Sequence, residues 1–409
     1  MNRPAKNCPL RVLIVGAGIG GLTAAINLVV RNIPVRVIER SASSEGIGAG
    51  LQLQPNATRV LHAMGLAERL AAVSMEPSEN LLTAAYSGRV LARLPQARTR
   101  IGLPHYQLHR ADLQHILLES AHEHGVQILP GQRAVGHTQD SAGVTLQTQD
   151  GGEYRAEVLI GADGARSAVR TWLFGAGEPA DQPVLVGLAY RGLVDAEKVE
   201  GKIIPGAVIG PRRHFVSYPL RGGSLINFVA QEEIGGLSAE ENKKEKNELQ
   251  ASAAELAALR ARFAGWSPQV EAILRAADTC LRWPLYRHRP LPAWSVGRVG
   301  LLGDACHPSL PNLASGAGMA IEDGYIIAAS LEKYAANPTH GLREFYRLRS
   351  NRCARIQTGA AWMATLFHLH PPLQRYLVHG MLAVASRIAP GLVAHGFTWT
   401  HHYDATKIV

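Results

Sequence analysis

Residues Arg11–Gly21 read RVLIVGAGIGG, and the fold turns on them. Four consecutive apolar residues, Val12–Val15, are what a strand buried on both faces requires. The run breaks at once into Gly16-x-Gly18-x-x-Gly21. Gly16 permits a tight turn, Gly18 lets a pyrophosphate approach the backbone, and Gly21 lets the next helix pack closely on the strand. A helical pattern from Gly20 to about Arg31 and a second apolar strand at Val35–Ile38 complete a βαβ unit. The N-terminus of that helix offers unpaired N–H groups and a positive dipole end to phosphates. Glu39 closes the second strand, 18 residues beyond Gly21, where a carboxylate can accept from ribose hydroxyls. The unit predicts dinucleotide binding. By itself it does not separate FAD from NAD.

The rest of the chain frames this unit. Helical patterns cover Asn56–Leu70, Asp112–Gly125, Leu249–Arg262, Ile321–Tyr334 and Leu342–Ala364. Strands are expected at Val144–Thr148 and Tyr154–Gly161, and the stretch Val184–Gln231 is strand-rich, with HFVSYPL and SLINFVA flanking an RGG turn. The order βαβ, then antiparallel strands, then α/β again predicts an α/β nucleotide domain interrupted by a sheet domain. The expected division is 1–75, 106–180 and 280–340 for the first, 76–105 and 181–279 for the second, and a C-terminal helical region at 341–409.

Composition narrows the class. The 42 basic and 33 acidic side chains give a formal charge of +9, but the bases are scattered. The densest cluster, Arg343–Arg355, has the i, i+4 spacing of a solvated helix face. With neither a recognition motif nor an aromatic–basic platform, nucleic acid is not the expected partner. A positive field around a cleft for anionic ligands accounts for the excess. Cys8, Cys280, Cys306 and Cys353 share no metal or CxxC spacing and read as reduced, buried thiols, so no metal is expected. The first residues lack the apolar stretch of a signal peptide, and no apolar run reaches the roughly 20 residues that span a bilayer. A cytoplasmic enzyme, monomer or homodimer, is expected.

Two further strand-ending motifs follow in order. Ile160–Ser167 reads IGADGARS, and Val299–Pro308 reads VGLLGDACHP. With GAGIGG they resemble the three fingerprints of the group A flavoprotein monooxygenases, the para-hydroxybenzoate hydroxylase-like family. The resemblance spans nearly the whole chain, through the tail HHYDATKIV. It implies a Rossmann-like FAD-binding domain interrupted by an antiparallel-sheet substrate domain, with C-terminal helices. It implies FAD as cofactor, NADH or NADPH as co-substrate and molecular oxygen. Reduced flavin would form a C4a-hydroperoxide that attacks an electron-rich ring. By the same resemblance Asp304 hydrogen-bonds the FAD ribityl chain, Gly303 beside it belongs to the cofactor site, and the Asp163 motif supports FAD and the region where NAD(P)H passes. Arg110, in the HRADL segment at His109–Leu113, contacts FAD. Gly46–Asn56, GIGAGLQLQPN, resembles the loop beside the flavin and brings in Gly48 and Ala49. Ile19, Gly20, Arg40, Ala134, Pro311 and Gly318 complete the implied cofactor set.

Chemistry at the ring needs more than a cofactor site. The run Ser315–Gly318 should open a helix whose N–H groups face the flavin N1–C2=O edge, which becomes negative on reduction. The resemblance gives that task to Gly316 and Ala317, while Glu322 and Asp323 read as complements to the helix dipole. A phenolic substrate needs a base at its hydroxyl. His214 and Tyr218 are the candidates, because period two puts residues 214, 216 and 218 on one strand face. Their segment resembles the hairpin of salicylate and 3-hydroxybenzoate hydroxylases. Gln52 stands where relatives acting on hydroxylated pyridine acids carry histidine, and Pro311 where 3-hydroxybenzoate relatives carry glutamine. Arg191, Arg212 and Arg213 are alternatives for pairing a substrate carboxylate, or solvated strand residues. His307 reads as a cap or packing residue. Rival readings are an epoxidase or tailoring oxygenase for a larger polycyclic or quinolone substrate, and a flavin redox sensor without turnover.

Overall fold

The computed structural model describes residues 11–42, 49–95, 102–175, 183–201, 203–233 and 249–409. Val12–Val15, buried along its whole length, is an inner strand of a six-stranded sheet. It lies parallel between Val35–Ile38 and Val158–Gly161. Val299–Leu301 extends the sheet beyond Val158–Gly161, with Ser295–Val296 as a short antiparallel edge, and Gln127–Leu129 closes the other side. Helix Ile19–Val30 makes the first crossover, and helix Gly316–Lys333 packs along it. The two helices meet at Gly324, where a Cβ would lie 2.7 Å from the Ala24 nitrogen.

A second, eight-stranded sheet runs in the order Leu249–Gln250, Leu281–Arg287, Val184–Asp195, Leu225–Glu233, Arg213–Leu220, Gly206–Gly210, Glu79–Ala84, Val90–Pro95. Its outer face has its own core: Phe215 and Phe228 stack at 5.7 Å under helices Ala253–Arg262 and Pro268–Ala276. The inner face turns toward the dinucleotide unit. The long helix Pro338–Phe367 packs on Gly316–Lys333, and helices Pro372–Ile388 and Pro390–Thr398 follow.

The α/β arrangement with an interrupting sheet is the one expected, and the differences are local. The helix expected at Asn56–Leu70 is two, Pro55–Ala63 and Ala67–Val73, because Gly65 adopts φ +78° between them. Leu249 and Gln250 pair as an edge strand, so that helix begins only after Ser252, which forms a capping box with Glu255. Leu281–Arg287 pairs antiparallel with Val184–Asp195, so the eight-stranded sheet extends past the boundary expected at residue 279. Cys280, Cys306 and Cys353 are buried free thiols. No helix among the described residues is long and apolar enough to cross a membrane.

Candidate active site

Between the two sheets, at the carboxyl ends of the parallel strands, lies a cavity of about 490 Å³. One end is built by the glycine turn. Gly16 sits at φ +109°, and a Cβ there would be 2.5 Å from the Ala162 carbonyl oxygen. A Cβ on Gly21 would collide with the Gly16 carbonyl. A Cβ on Gly18 would meet nothing within 4 Å, so that side of the backbone faces open space, and Gly18, Ile19 and Gly20 line the cavity. Glu39 stands behind the turn, its carboxylate accepting from the N–H groups of Ala17 (2.7 Å) and Ser41 (2.8 Å).

Several implied cofactor residues lie elsewhere. Asp163 caps helix Ala168–Phe174, accepting from the Ala168 and Val169 N–H groups, while its neighbours Ala162 and Gly164 line the cavity. Arg40 is exposed, and Ala134 is a half-buried residue of the strand Ala134–Gln139; neither lines the cavity. Gly46 and Gly48 fall outside the described residues, as does the charged stretch at 240–248. Ala49 accepts from the Arg110 N–H at 2.9 Å, which sets Arg110 on the cavity wall. Asp112, two residues on, pairs with Arg221.

Gly303 and Asp304 follow strand Val299–Leu301, and both line the cavity. The Asp304 side chain is open to the cavity and has no hydrogen-bond partner among the described residues. Enclosure by the surrounding protein raises its pKa, against the charges of His307, Arg110 and Arg170. The turn Pro311–Leu313 leads through Ala314, at φ +48°, into the helix at Gly316. Its N-cap, Ser315, makes no capping bond, and its first turn holds no acid. Gly316 and Ala317 line the cavity, as does Pro311, whereas Gly318 packs against Asn56. An open glycine turn, an acid without a protein donor and a bare helix start suit the pyrophosphate, ribityl and pyrimidine portions of FAD.

Beneath that helix the charges are not where their spacing suggested. Glu322 and Asp323 do not complement the dipole at a surface; both are fully buried. Arg349, also fully buried, contacts Glu322 Oε2 at 2.6 Å and donates to Asp323 Oδ1 at 2.7 Å. Arg352 and Asn56 donate to Glu322, and His307 Nε2 lies 2.5 Å from Asp323 Oδ2. The same Asp323 oxygen accepts from the Gly303 N–H at 3.1 Å. Part of the expected solvated Arg343–Arg355 face is therefore an internal cluster that holds the Gly303–Asp304 loop. The buried Cys306–His307–Asp323 group has the proximity of metal ligands, but Asp323 is already committed to Arg349.

At the other end, strand Arg213–Leu220 turns His214, Val216 and Tyr218 into the cavity. Arg191 also lines it and lies over the Trp283 ring at 5.1 Å. Arg212 and Arg213 do not line it: Arg212 occupies the hairpin turn at φ +60°, and Arg213 donates to the Arg262 carbonyl. Burial raises the Tyr218 pKa, with Arg191 opposing. Gly50 lets the neighbouring strand approach; a Cβ there would sit 2.7 Å from the Tyr218 oxygen. Gln52 Oε1 lies 3.1 Å from His105 Nε2. Burial pushes the His105 pKa down to about 4, so the ring is neutral and donates this bond. His214 is buried, and its Nδ1 lies 2.7 Å from His368 Nε2. His368 Nδ1 in turn lies 3.1 Å from Glu233 Oε1. Neither His368 nor Glu233 carried any motif in the sequence.

A phosphate-ready turn facing a neutral imidazole across one void is the arrangement of a flavin-dependent oxygenase, whose ring must lie between nucleotide domain and substrate sheet. A family profile described as an FAD binding domain matches residues 9–340. The chain is 35% identical over 372 residues to 3-hydroxybenzoate 6-hydroxylase of Polaromonas naphthalenivorans, covering 88% of each. It is 34% identical over 367 residues to 3-amino-4-hydroxybenzoate 2-monooxygenase of Streptomyces cremeus, again 88% of each. A salicylate hydroxylase substrate complex superposes with a TM-score of 0.80 at 24% identity, over 97% of this chain and 96% of that one. The chain belongs to the FAD-binding domain family, and it is an FAD-dependent aromatic-ring monooxygenase that consumes NAD(P)H and oxygen.

Proposed function

We propose that the protein hydroxylates a small phenolic acid such as salicylate or 3-hydroxybenzoate. The observation that carries this reading is the placement of His214, Tyr218 and Arg191 around one cavity with Gly18, Asp304 and Gly316. FAD, when bound, supplies the redox chemistry and the activation of oxygen. Gly16, Gly18, Ile19, Gly20 and Gly21 form the turn for its pyrophosphate, buttressed by Glu39. Asp304 accepts from its ribityl hydroxyls, and Arg110 adds positive charge nearby. The N–H groups of Gly316 and Ala317 stabilise charge at the reduced pyrimidine edge.

His214 removes the phenol proton, which raises electron density on the ring before oxygen transfer. Tyr218, a phenol kept neutral by burial, donates to the resulting oxyanion. Arg191 pairs with the carboxylate, and Gln52, fixed by His105, supplies a further polar contact. The reading extends to a cytoplasmic enzyme, monomer or homodimer, without a nucleic-acid partner, divided into cofactor, substrate-sheet and C-terminal helical regions.

A panel of phenolic acids tests it, with NADH and NADPH consumption and product mass as readouts. The expected result is stimulation by one or a few monocyclic acids, with a product heavier by one oxygen. Turnover of polycyclic or quinolone compounds alone would move the substrate class to the larger rings.

A further inference from the structure

We infer that His368 and Glu233 are positioning residues that fix the tautomer of His214 and carry the substrate's proton away from the cavity. The inference rests on the reading of His214 as the base. Two distances carry it: His214 Nδ1 to His368 Nε2, 2.7 Å, and His368 Nδ1 to Glu233 Oε1, 3.1 Å. A carboxylate can only accept, so His368 Nδ1 carries a hydrogen. With His368 neutral, its Nε2 is then an acceptor, and His214 Nδ1 must carry the hydrogen between the rings. The lone pair of His214 is thereby left on Nε2, the ring nitrogen that His368 does not engage. The order of donors along the chain prepares His214 as a base.

The proton path balances. The substrate O–H bond breaks as His214 Nε2–H forms; the His214 Nδ1–H bond breaks as His368 Nε2–H forms. His214 ends neutral in its other tautomer. The positive charge rests on His368 beside the Glu233 carboxylate, and the substrate is a phenolate. No electrons change hands. A cation confined to His214 would be costly, since burial pushes its pKa well below the ordinary value and charge on His368 adds to the effect. Glu233 is suited to hold the charge because its hydrogen bond to His368 lowers its own pKa. Its side chain is 36% exposed, against 1% for His368, so the proton reaches solvent without recrossing the cavity.

The backbone holds this chain in place. His368 ends helix Pro338–Phe367, and its carbonyl accepts from the Arg212 N–H at 3.1 Å. The Arg212 carbonyl accepts from the Glu233 N–H at 3.0 Å. Phe367 packs edge-on against the His214 ring at 5.2 Å. Besides His368, the charged or titratable groups acting on Glu233 are His370 and Arg212.

The test uses the FAD-loaded protein without reductant, mixed with 3-hydroxybenzoate first and then with the acid that the substrate panel selects. The absorbance of bound phenolate is followed against pH in wild type, Glu233→Gln, His368→Gln and His214→Ala. Losing one charge-assisted hydrogen bond should move phenolate formation up by about one pH unit in both glutamine variants. In turnover, kcat should fall about tenfold with KM nearly unchanged, as for an interaction made only in the transition state. Midpoints at the wild-type value in both glutamine variants, with His214→Ala displaced, would overturn the relay and leave the base standing. An undisplaced His214→Ala would remove the base and the relay with it. Should His368→Gln not fold, the more exposed Glu233→Gln decides alone.

Discussion

Replacing Arg349 by methionine removes the cation at the centre of the internal cluster while keeping an unbranched chain. Glu322 then keeps Arg352 and Asn56, and Asp323 keeps His307 and the Gly303 N–H. Breaking a buried pair from one side costs about 3–5 kcal/mol. Since each acid keeps another cation or donor, the lower end, about 3 kcal/mol, is expected. At roughly 2.1 cal/mol/K per residue, a chain of this length has an unfolding entropy of about 0.9 kcal/mol/K, so the melting temperature should drop by about 3–4 °C. Calorimetry of the apoprotein measures this, and the flavin-to-protein absorbance ratio reports the loop at Asp304, which should loosen with Asp323. Arg349→Lys should be intermediate, because an ammonium cannot span both carboxylates as a guanidinium does. A melting temperature within about 1 °C of wild type, with full flavin, would refute the cluster's structural role.

Gly21→Ala should yield protein without flavin, since its Cβ meets the Gly16 carbonyl; the absorbance ratio checks it. Asp304→Ala should fold as wild type and lose flavin on dilution, read by gel filtration of the holoprotein. Gly50→Ala should clash with Asn227 and push Tyr218 from the cavity wall and lower product formed per NAD(P)H several-fold, with flavin content unchanged. Stability should also depend on pH through Asp323 and His307. Burial raises the Asp323 pKa, but His307 and Arg349 outweigh it and leave it low; its contribution is present above about pH 4 and lost as pH falls through the folded value. Burial likewise opposes charge on His307, but the Asp323 carboxylate against its ring holds its pKa well above ordinary. That contribution is full below about pH 6.5 and lost as pH rises through the folded value. Melting temperature should therefore be highest between those limits, and His307→Gln should flatten the alkaline side.

The nucleotide unit was legible because its requirements are local: a turn at Gly16, an open backbone at Gly18 and a close approach at Gly21 all fall within one short stretch of chain. The face shared by His214 and Tyr218 was legible for the same reason, since strand period needs only neighbours. Charges were harder. Arg349 and Arg352 read as solvated because i, i+4 spacing describes a helix face without saying what covers it, and Glu322 and Asp323 are 26 to 30 residues away in chain. His368 was invisible: it lies 154 residues from His214, and only the end of a long helix meeting a hairpin turn brings the rings together. The place of strand Leu281–Arg287 in the eight-stranded sheet was not legible, because it depends on a partner, Val184–Asp195, that lies far earlier in the chain.

The central proposal is that a bound phenolic acid, deprotonated at His214, is hydroxylated at the expense of NAD(P)H. The most direct test compares product formed per NAD(P)H consumed in wild type and His214→Ala, both loaded with FAD, on the best acid from the panel. Near-stoichiometric product in wild type and a drop of about tenfold or more in the variant, with flavin content equal, is the predicted result. Equal coupling in the two proteins, or no product from any acid in fully loaded wild type, would contradict it.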